Sequence, residues 1–550
     1  MQKPAARLFP ALLLCLVSVS SASAQTFTNL LDFNGRDGSH PYSAMVQGYD
    51  GNFYGTTLKG GAWDSGTVFK VTRDGVLTTL YSFCANPNCF DGAYPFASPF
   101  AASDGNLYGT TQDGGFQNAG TIFKIGLHGA PALLYSFCAQ DNCADGVSPS
   151  GVVEGTDGNF YGTTFLGGST DLGTVFKITP SGKLTTLYTF CSQGGSCPDG
   201  SSPGAGLIQA SDGNFYGTTE QGGANNFGTI FKITPSGTLT TLHNLDPSEG
   251  SGGIASLMQA ADGAFYGTSE AGGPHAGGTV YKITPSGAFS TVYYFCAQGS
   301  PCTDGASPLD GLVQASDGNF YGTTVSGGLD DFGTAFKLTP AGQLSIISFR
   351  SLGGNYPYAG LLLATNGILY GTTYAGGTNG NGTLFSIAAG FRPSAETTPA
   401  AQREAASIGI LGQGFTSSSI VKFGGVQSSR VNLLGPNALT AVVPAGATTA
   451  PVTVTTGDAA LASAQPFRVI PQVLSFNPPS GPVGQSVTLT GTGLAQTVQV
   501  DFGNVQATNL NILSDTQVTA DVPVGAKTAR IVIETKGGIA VSATAFTVTQ

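Results

Sequence analysis

From residue 26 to about residue 388 the chain is written in short apolar runs separated by Gly, Asp, Ser and Pro, with no apolar spacing at helical period. One full unit is Gly206-Leu-Ile-Gln-Ala-Ser-Asp-Gly-Asn-Phe-Tyr-Gly-Thr-Thr219, a Gly-rich loop, and Gly228-Thr-Ile-Phe-Lys-Ile-Thr-Pro-Ser-Gly-Thr-Leu-Thr-Thr-Leu242. It divides into four strands. Strand a is expected at 206–210, strand b at 214–219, strand c at 228–234 and strand d at 238–245. Asp212-Gly213 reads as a two-residue type I′ hairpin between a and b. Phe215 and Tyr216 are adjacent where one-sided burial would alternate, so the sheet must be covered on both faces.

Tyr-Gly-Thr recurs at Tyr54, Tyr108, Tyr161, Tyr216, Tyr266, Tyr321 and Tyr370. A four-stranded unit repeated every ~50 residues is the signature of a propeller blade. After the seventh a-b-c set, ending near Ile387, no strand d follows. The missing strand stands at the other end, where Thr26-Phe-Thr-Asn-Leu-Leu-Asp-Phe33 reads like Leu77-Thr-Thr-Leu-Tyr-Ser-Phe83. An N-terminal strand that completes the last blade closes a ring and removes both exposed edges. The expected fold is therefore all-β: a seven-bladed β-propeller over 25–389, followed by two immunoglobulin-like β-sandwiches over 390–469 and 470–550.

The recurring words Asp-Gly-Asn-Phe-Tyr-Gly-Thr-Thr, Gly-Thr-Val-Phe-Lys-Ile-Thr and Leu-Thr-Thr-Leu-Tyr-Ser-Phe resemble those of bacterial extracellular GloVer-repeat ("choice-of-anchor") proteins. That resemblance covers about residues 26 to 388 and implies an extracellular location without an established activity. Residues 471–550 resemble an IPT/TIG domain through Pro478-Pro-Ser-Gly-Pro-Val-Gly484, Val487-Thr-Leu-Thr-Gly-Thr-Gly-Leu494, Asp501-Phe-Gly503 and Val522-Pro-Val-Gly-Ala526. Residues 391–469 echo it with Gly412-Gln-Gly-Phe415, Lys422-Phe-Gly424 and Val443-Pro-Ala-Gly-Ala447.

Composition narrows the function. Of 550 residues 82 are Gly and only 10% are charged, which suits short strands joined by tight turns. A net charge of -11 argues against nucleic acid or an anionic membrane as partner. Residues 1–24 read as an export signal, with Lys3 and Arg7 ahead of an apolar stretch from Leu8 to Val19 and Ala22-Ser-Ala24 as the cleavage site. No later segment is apolar enough to span a membrane. The protein is expected to be secreted, with cell-surface association open, and monomeric.

Of nine cysteines Cys15 lies in the leader. The others form close pairs, Cys84/Cys89, Cys138/Cys143, Cys191/Cys197 and Cys296/Cys302, each in a loop from strand d to the next strand a. In an exported chain these read as disulfides. Their loops are short, so each is expected to stabilise at the low end of about 2–4 kcal/mol.

In an a-b-c-d meander the a-b and c-d turns share one face, and the b-c and d-a loops share the other. The second face carries the longer, variable loops and is where binding is expected. On it an acid recurs just before strand a: Asp37, Asp91, Asp145, Asp199, Glu249 and Asp304. Two readings stand: a ring at the channel mouth that captures a glycan or a cation such as Ca²⁺, or turn residues before Gly. On the opposite face Lys70, Lys124, Lys177, Lys232, Lys282 and Lys337 of strand c are expected to pair with Asp50, Asp104, Asp157, Asp212, Asp262 and Asp317, and blade seven has Ser386 and Asn366 instead.

His40, His128, His243 and His275 fall in different loops, and there is no nucleophile elbow or phosphate loop. No catalytic residue, cofactor or metal site is expected. The reading is a secreted, non-catalytic binding or scaffold protein for a glycan, protein or cation; the alternative is a polysaccharide- or lactone-active propeller enzyme.

Overall fold

A computed structural model describes residues 26–550 apart from 128, 130, 193, 253–254 and 351–352. The expected export signal and His128 lie outside the described residues. Among the described residues there is no α-helix, and no helix is long and apolar enough to cross a membrane.

Seven four-stranded antiparallel sheets form the propeller. In blade four the strands are Ile208–Gln209, Phe215–Thr219, Thr229–Ile233 and Leu239–Asn244. Blade seven is Leu362–Leu363, Ile368–Thr373 and Thr383–Ala388, and Thr26–Asp32 pairs antiparallel with its third strand as the fourth. The ring is thus closed by the N-terminal strand. Strand a is shorter than the sequence suggests in every blade but the third, because only two of its residues reach the ladder before the chain turns into the channel.

The a-b turn also differs from the expected type I′. Gly213 N–H donates to Ala210 C=O at 3.0 Å and Ala210 N–H to Asn214 C=O at 2.9 Å, and only Gly213 has a positive φ, +79°. A type I turn ending in a left-handed glycine leaves Asp212 in an ordinary conformation, its carboxylate free to accept from Asn214 N–H and the Tyr216 hydroxyl.

Burial on both faces of strand b is as its adjacent aromatics require. Tyr161 stacks on Phe215 of the next blade at 4.0 Å, Tyr216 on Phe265 at 4.1 Å and Tyr370 on Phe53 across the closure at 4.2 Å. A second stitch runs along the inner strands. Gln47, Gln209, Gln259 and Gln314 each accept, through Oε1, the N–H of Thr365, Thr156, Ser211 and Ala261 in the preceding blade, and each donates to a glycine carbonyl in its own a-b turn.

The Lys–Asp pair forms at 2.6–2.8 Å in five blades, with Lys70, Lys124, Lys177, Lys282 and Lys337 each also over the ring of the strand-b tyrosine. Blade four departs: Asp212 accepts from Tyr216 and Asn214, while its nearby cation is Arg468 of the next domain.

Two β-sandwiches follow. The first sets Glu396–Thr398, Ser407–Leu411, Ala438–Val442 and Val431–Gly435 against Val426–Gln427, Ile420–Phe423, Val452–Thr456 and Ala459–Ala462 around a core of Phe415, Phe423, Leu439 and Phe467. The second packs two four-stranded sheets around Leu489, Phe502, Ile531 and Phe546. The first sandwich abuts the turn face of the propeller: Asn437 donates to Asp50 C=O at 3.1 Å, Thr365 to Gly412 C=O at 3.3 Å and Arg73 to Gln413 at 3.3 Å. That end of the channel is capped by protein; the loop face is left open.

Candidate functional site

The recurring acids are part of the loop scaffold. Asp91 accepts from the Tyr81 hydroxyl at 2.8 Å and from Ala85 and Asn86 N–H, both at 3.0 Å. Asp145 does the same with Tyr135, Ala139 and Gln140, and is fully buried. Asp199 takes Tyr188 and Cys191 N–H; Asp304 takes Tyr293 and Ala297 N–H. Where Tyr becomes His243 the acid becomes Glu249, and the two meet at 2.7 Å. Asp37, whose strand offers no tyrosine, accepts from Asn34 N–H. The tyrosine and histidine partners come from strand d, the outermost strand, the other donors are N–H groups of the loops, and none of the six acids lines the channel cavity. The carboxylates expected to ring the mouth are instead tied into loop hydrogen bonds away from the cavity. The same loops carry disulfides Cys84–Cys89, Cys138–Cys143, Cys191–Cys197 and Cys296–Cys302. Among the described residues no three His, Cys, Asp or Glu side chains gather where a metal ion could be held.

The cavity lies elsewhere. About 380 Å³ of space is enclosed by the inner segments of all seven blades, opening toward the loop face. Each inner segment follows a proline in blades one to four, six and seven (Pro41, Pro95, Pro149, Pro203, Pro308, Pro357), and the next residue faces the channel. That residue is Tyr42, Phe96 and Tyr358 in blades one, two and seven, but Ser150 and Gly204 in blades three and four. One side of the mouth is therefore an aromatic wall, the other is open. Tyr42 lies 4.2 Å from Phe96 and 4.9 Å from Tyr358; Tyr374, at the end of strand b in blade seven, packs on Tyr358 at 4.9 Å and on His40 at 4.5 Å.

Facing the aromatic wall is negative charge. The residue after the Tyr-Gly-Thr-Thr or Tyr-Gly-Thr-Ser word is Leu58, Gln112, Phe165, Glu220, Glu270, Val325 or Tyr374, and the carboxylates of blades four and five both act on Tyr42. Burial pushes the Glu220 carboxyl up to about 7, and repulsion from Glu270 adds to the shift. Lower in the wall, Asp310 takes the place that Ser43, Ala97, Gly151, Ala205, Ala255 and Ala359 hold in the other blades. Its carboxylate accepts Gly311 N–H and Gly360 N–H, both at 2.7 Å, and burial raises its pKa against those bonds. Burial, then Tyr358, Glu270, Asp310 and Glu220, hold the Tyr42 hydroxyl far above its ordinary pKa, so all three carboxylates act on the same ring. Burial, and then Lys59, push the His40 imidazole down, with Asp64 opposing.

None of Tyr42, Phe96, Tyr358, Glu220, Glu270 and Asp310 stands out by recurrence. They are legible only as departures from the repeat at aligned positions.

The repeat itself matches the Gloeobacter/Verrucomicrobia repeat in three stretches, 16–144, 134–312 and 300–404, which together take in well over half of the chain. The chain belongs to the Gloeobacter/Verrucomicrobia repeat family. Residues 471–548 of this repeat protein match the IPT/TIG domain. No curated protein sequence matches it. Among solved structures it is similar to a protein of unknown function from Bacteroides thetaiotaomicron, at 14% identity over 66% of this chain and 76% of that one, with a TM-score of 0.37. A fungal alcohol oxidase in complex with copper is matched at 14% identity over 96% of this chain and 99% of the other, TM-score 0.44. A surface glycan-binding protein from Prevotella bryantii is matched at 16% identity over 27% of this chain and 38% of its own, TM-score 0.22. These likenesses carry nothing about the chemistry of the repeat protein, which rests on its own residues.

Proposed function

We propose that the protein is a secreted, non-catalytic recognition protein that takes a glycan at the open end of its propeller channel. The observation that carries this reading is the half-buried wall of Tyr42, Phe96 and Tyr358 over a cavity of about 380 Å³, with Glu220, Glu270 and Asp310 set about it. The apolar face of a sugar ring packs on aromatic rings, and its hydroxyls donate to carboxylates. A concave, largely apolar site with a few convergent polar groups is the ordinary form of a small-ligand pocket. Four disulfides suit an oxidising compartment.

The test is binding of a soluble oligosaccharide panel to residues 25–550 by calorimetry, with Tyr42→Ala and Tyr358→Ala alongside. Saturable binding lost in both variants supports the reading; binding indifferent to both overturns it. One observation favours an alternative, a polysaccharide-active enzyme: Glu220, protonated up to about pH 7 beside Glu270, resembles the acid member of a carboxyl pair. New reducing ends from a bound oligosaccharide, abolished in Glu220→Gln, would establish that alternative in place of simple recognition.

A further inference from the structure

A second cavity, of about 270 Å³, lies at the capped end of the channel, beyond a neck of Val46, Phe100 and Val153 that borders both spaces. Its floor is the first sandwich, through Glu396–Ala401 and Arg468. Most polar groups in its wall are already committed. Gln47 and Gln209 make the inter-blade stitch, and Glu154 accepts both the N–H and the hydroxyl of Ser103.

Two are not. The half-buried Arg468 guanidinium lines the chamber, and desolvation lowers its pKa to about 10. Asp212 acts on it only from beyond ion-pair distance, and among the described residues no side chain or carbonyl accepts from it. The Glu396 carboxyl is exposed to the same chamber without a hydrogen-bond donor, and desolvation alone pushes it up to about 7. A guanidinium keeps its proton at physiological pH, so its N–H donors stand ready for an anion in the chamber. Charged groups that face a cavity large enough for a small molecule, and have no partner within the protein, mark a place for one.

We infer that this chamber binds a small carboxylate, its planar anion held by the fork of Arg468 and its hydroxyls or second polar end by Glu396. The guanidinium fork matches a carboxylate with two parallel N–H donors. Phosphate has matching oxygens, but Glu154, Glu396 and Asp212 around the chamber make a second negative charge costlier there than a single one. The volume accommodates a single sugar acid, and the site does not depend on the glycan reading of the open end.

The test is calorimetry on residues 25–550 with sodium D-galacturonate, methyl galactoside and inorganic phosphate as separate titrants. Galacturonate is expected to bind saturably at one site, with the neutral sugar and phosphate at least tenfold weaker. Arg468→Gln and Arg468→Lys, the second keeping the charge without the fork, should each weaken galacturonate at least tenfold with thermal midpoints near that of the parent. Glu396→Gln should weaken galacturonate severalfold, less than the Arg468 substitutions do, whereas Tyr42→Ala should bind within about threefold of the parent, which separates this site from the channel mouth. Absence of galacturonate binding, equal binding of the neutral sugar or phosphate, or binding that survives both Arg468 substitutions in folded protein would overturn the inference.

Discussion

The two ends of the propeller channel obey different rules. At the turn face the blades repeat themselves: the Asp-Gly turn, the tyrosine hydroxyl on its aspartate and the lysine across from it recur with one exception before blade seven, and a sandwich domain covers the result. At the loop face the residues nearest the axis do not repeat. The position after the proline changes from Tyr or Phe to Ser or Gly, and the position after strand b changes from Leu to Glu to Tyr. Recurrence marks what every blade needs in order to fold against its neighbours. A ligand sees the ring once, so its contacts need not repeat.

The largest effect that would sharpen this contrast is on binding. Replacing Tyr42 and Tyr358 together by Ala removes the stacked pair and should weaken a bound glycan by about a hundredfold, since each 1.4 kcal/mol is tenfold and a buried aromatic anchor contributes more than that. The thermal midpoint should move little, because both rings are only half-buried.

The next effect is on stability and comes from a recurring acid. Asp145→Asn leaves the Tyr135 hydroxyl and two loop N–H groups with a poorer acceptor inside a fully buried site. A loss of about 1–3 kcal/mol is expected from chemical denaturation, with glycan affinity unchanged.

A pH titration of the thermal midpoint distinguishes the two sets of carboxyls. Glu220, Glu396 and Glu404 are raised from 4.5 to about 7, mainly by burial, with Glu270 adding for the first and Asp515 for the last. Below 4.5 they are protonated folded or unfolded; as pH rises toward 7 the unfolded chain releases protons that the folded one retains, so stability falls across that window. The turn aspartates Asp50, Asp104, Asp157, Asp262 and Asp317 are lowered below 3.8, their lysines and neighbouring amides outweighing burial, so their contribution is lost in acid below that value. Stability should peak near pH 4 to 4.5, and Glu396→Gln should flatten the decline above it.

The smallest effect tests the turn face itself. Lys177→Ala should cost about 0–1 kcal/mol, as exposed pairs do, and Lys232→Ala still less, because Asp212 is not within ion-pair reach of it.

The sequence was informative where the physics repeats. Seven Tyr-Gly-Thr words, the displaced N-terminal strand and the adjacent Phe-Tyr of strand b suffice to predict a closed ring buried on both blade faces. Searching for function by the same token, recurrence, leads to Asp91, Asp145 and Asp199, which are anchors for tyrosines on the outermost strand. Their partners, three residues ahead of each loop's first cysteine, are visible in the sequence as Tyr81, Tyr135 and Tyr188, but a tyrosine beside an acid signals nothing until the loop folds back on its strand. Glu220, Glu270 and Asp310 were in view as exceptions at aligned positions. What the sequence does not carry is that neighbouring blades bring those exceptions into one field, acting together on Tyr42. The Asp-Gly turn shows a limit of another kind: the dipeptide fits both a type I′ hairpin and a type I turn with a terminal left-handed glycine, and the Tyr216 hydroxyl on Asp212 accompanies the second.

The most direct measurement is calorimetric titration of an oligosaccharide that binds the parent protein against two variants, Tyr42→Ala and the triple Asp91→Asn/Asp145→Asn/Asp199→Asn. Binding is expected to be lost in the first and retained in the second, which should instead show a lower thermal midpoint. Binding retained in the tyrosine variant and lost in a folded triple variant would contradict it and return the ligand to the outer loops.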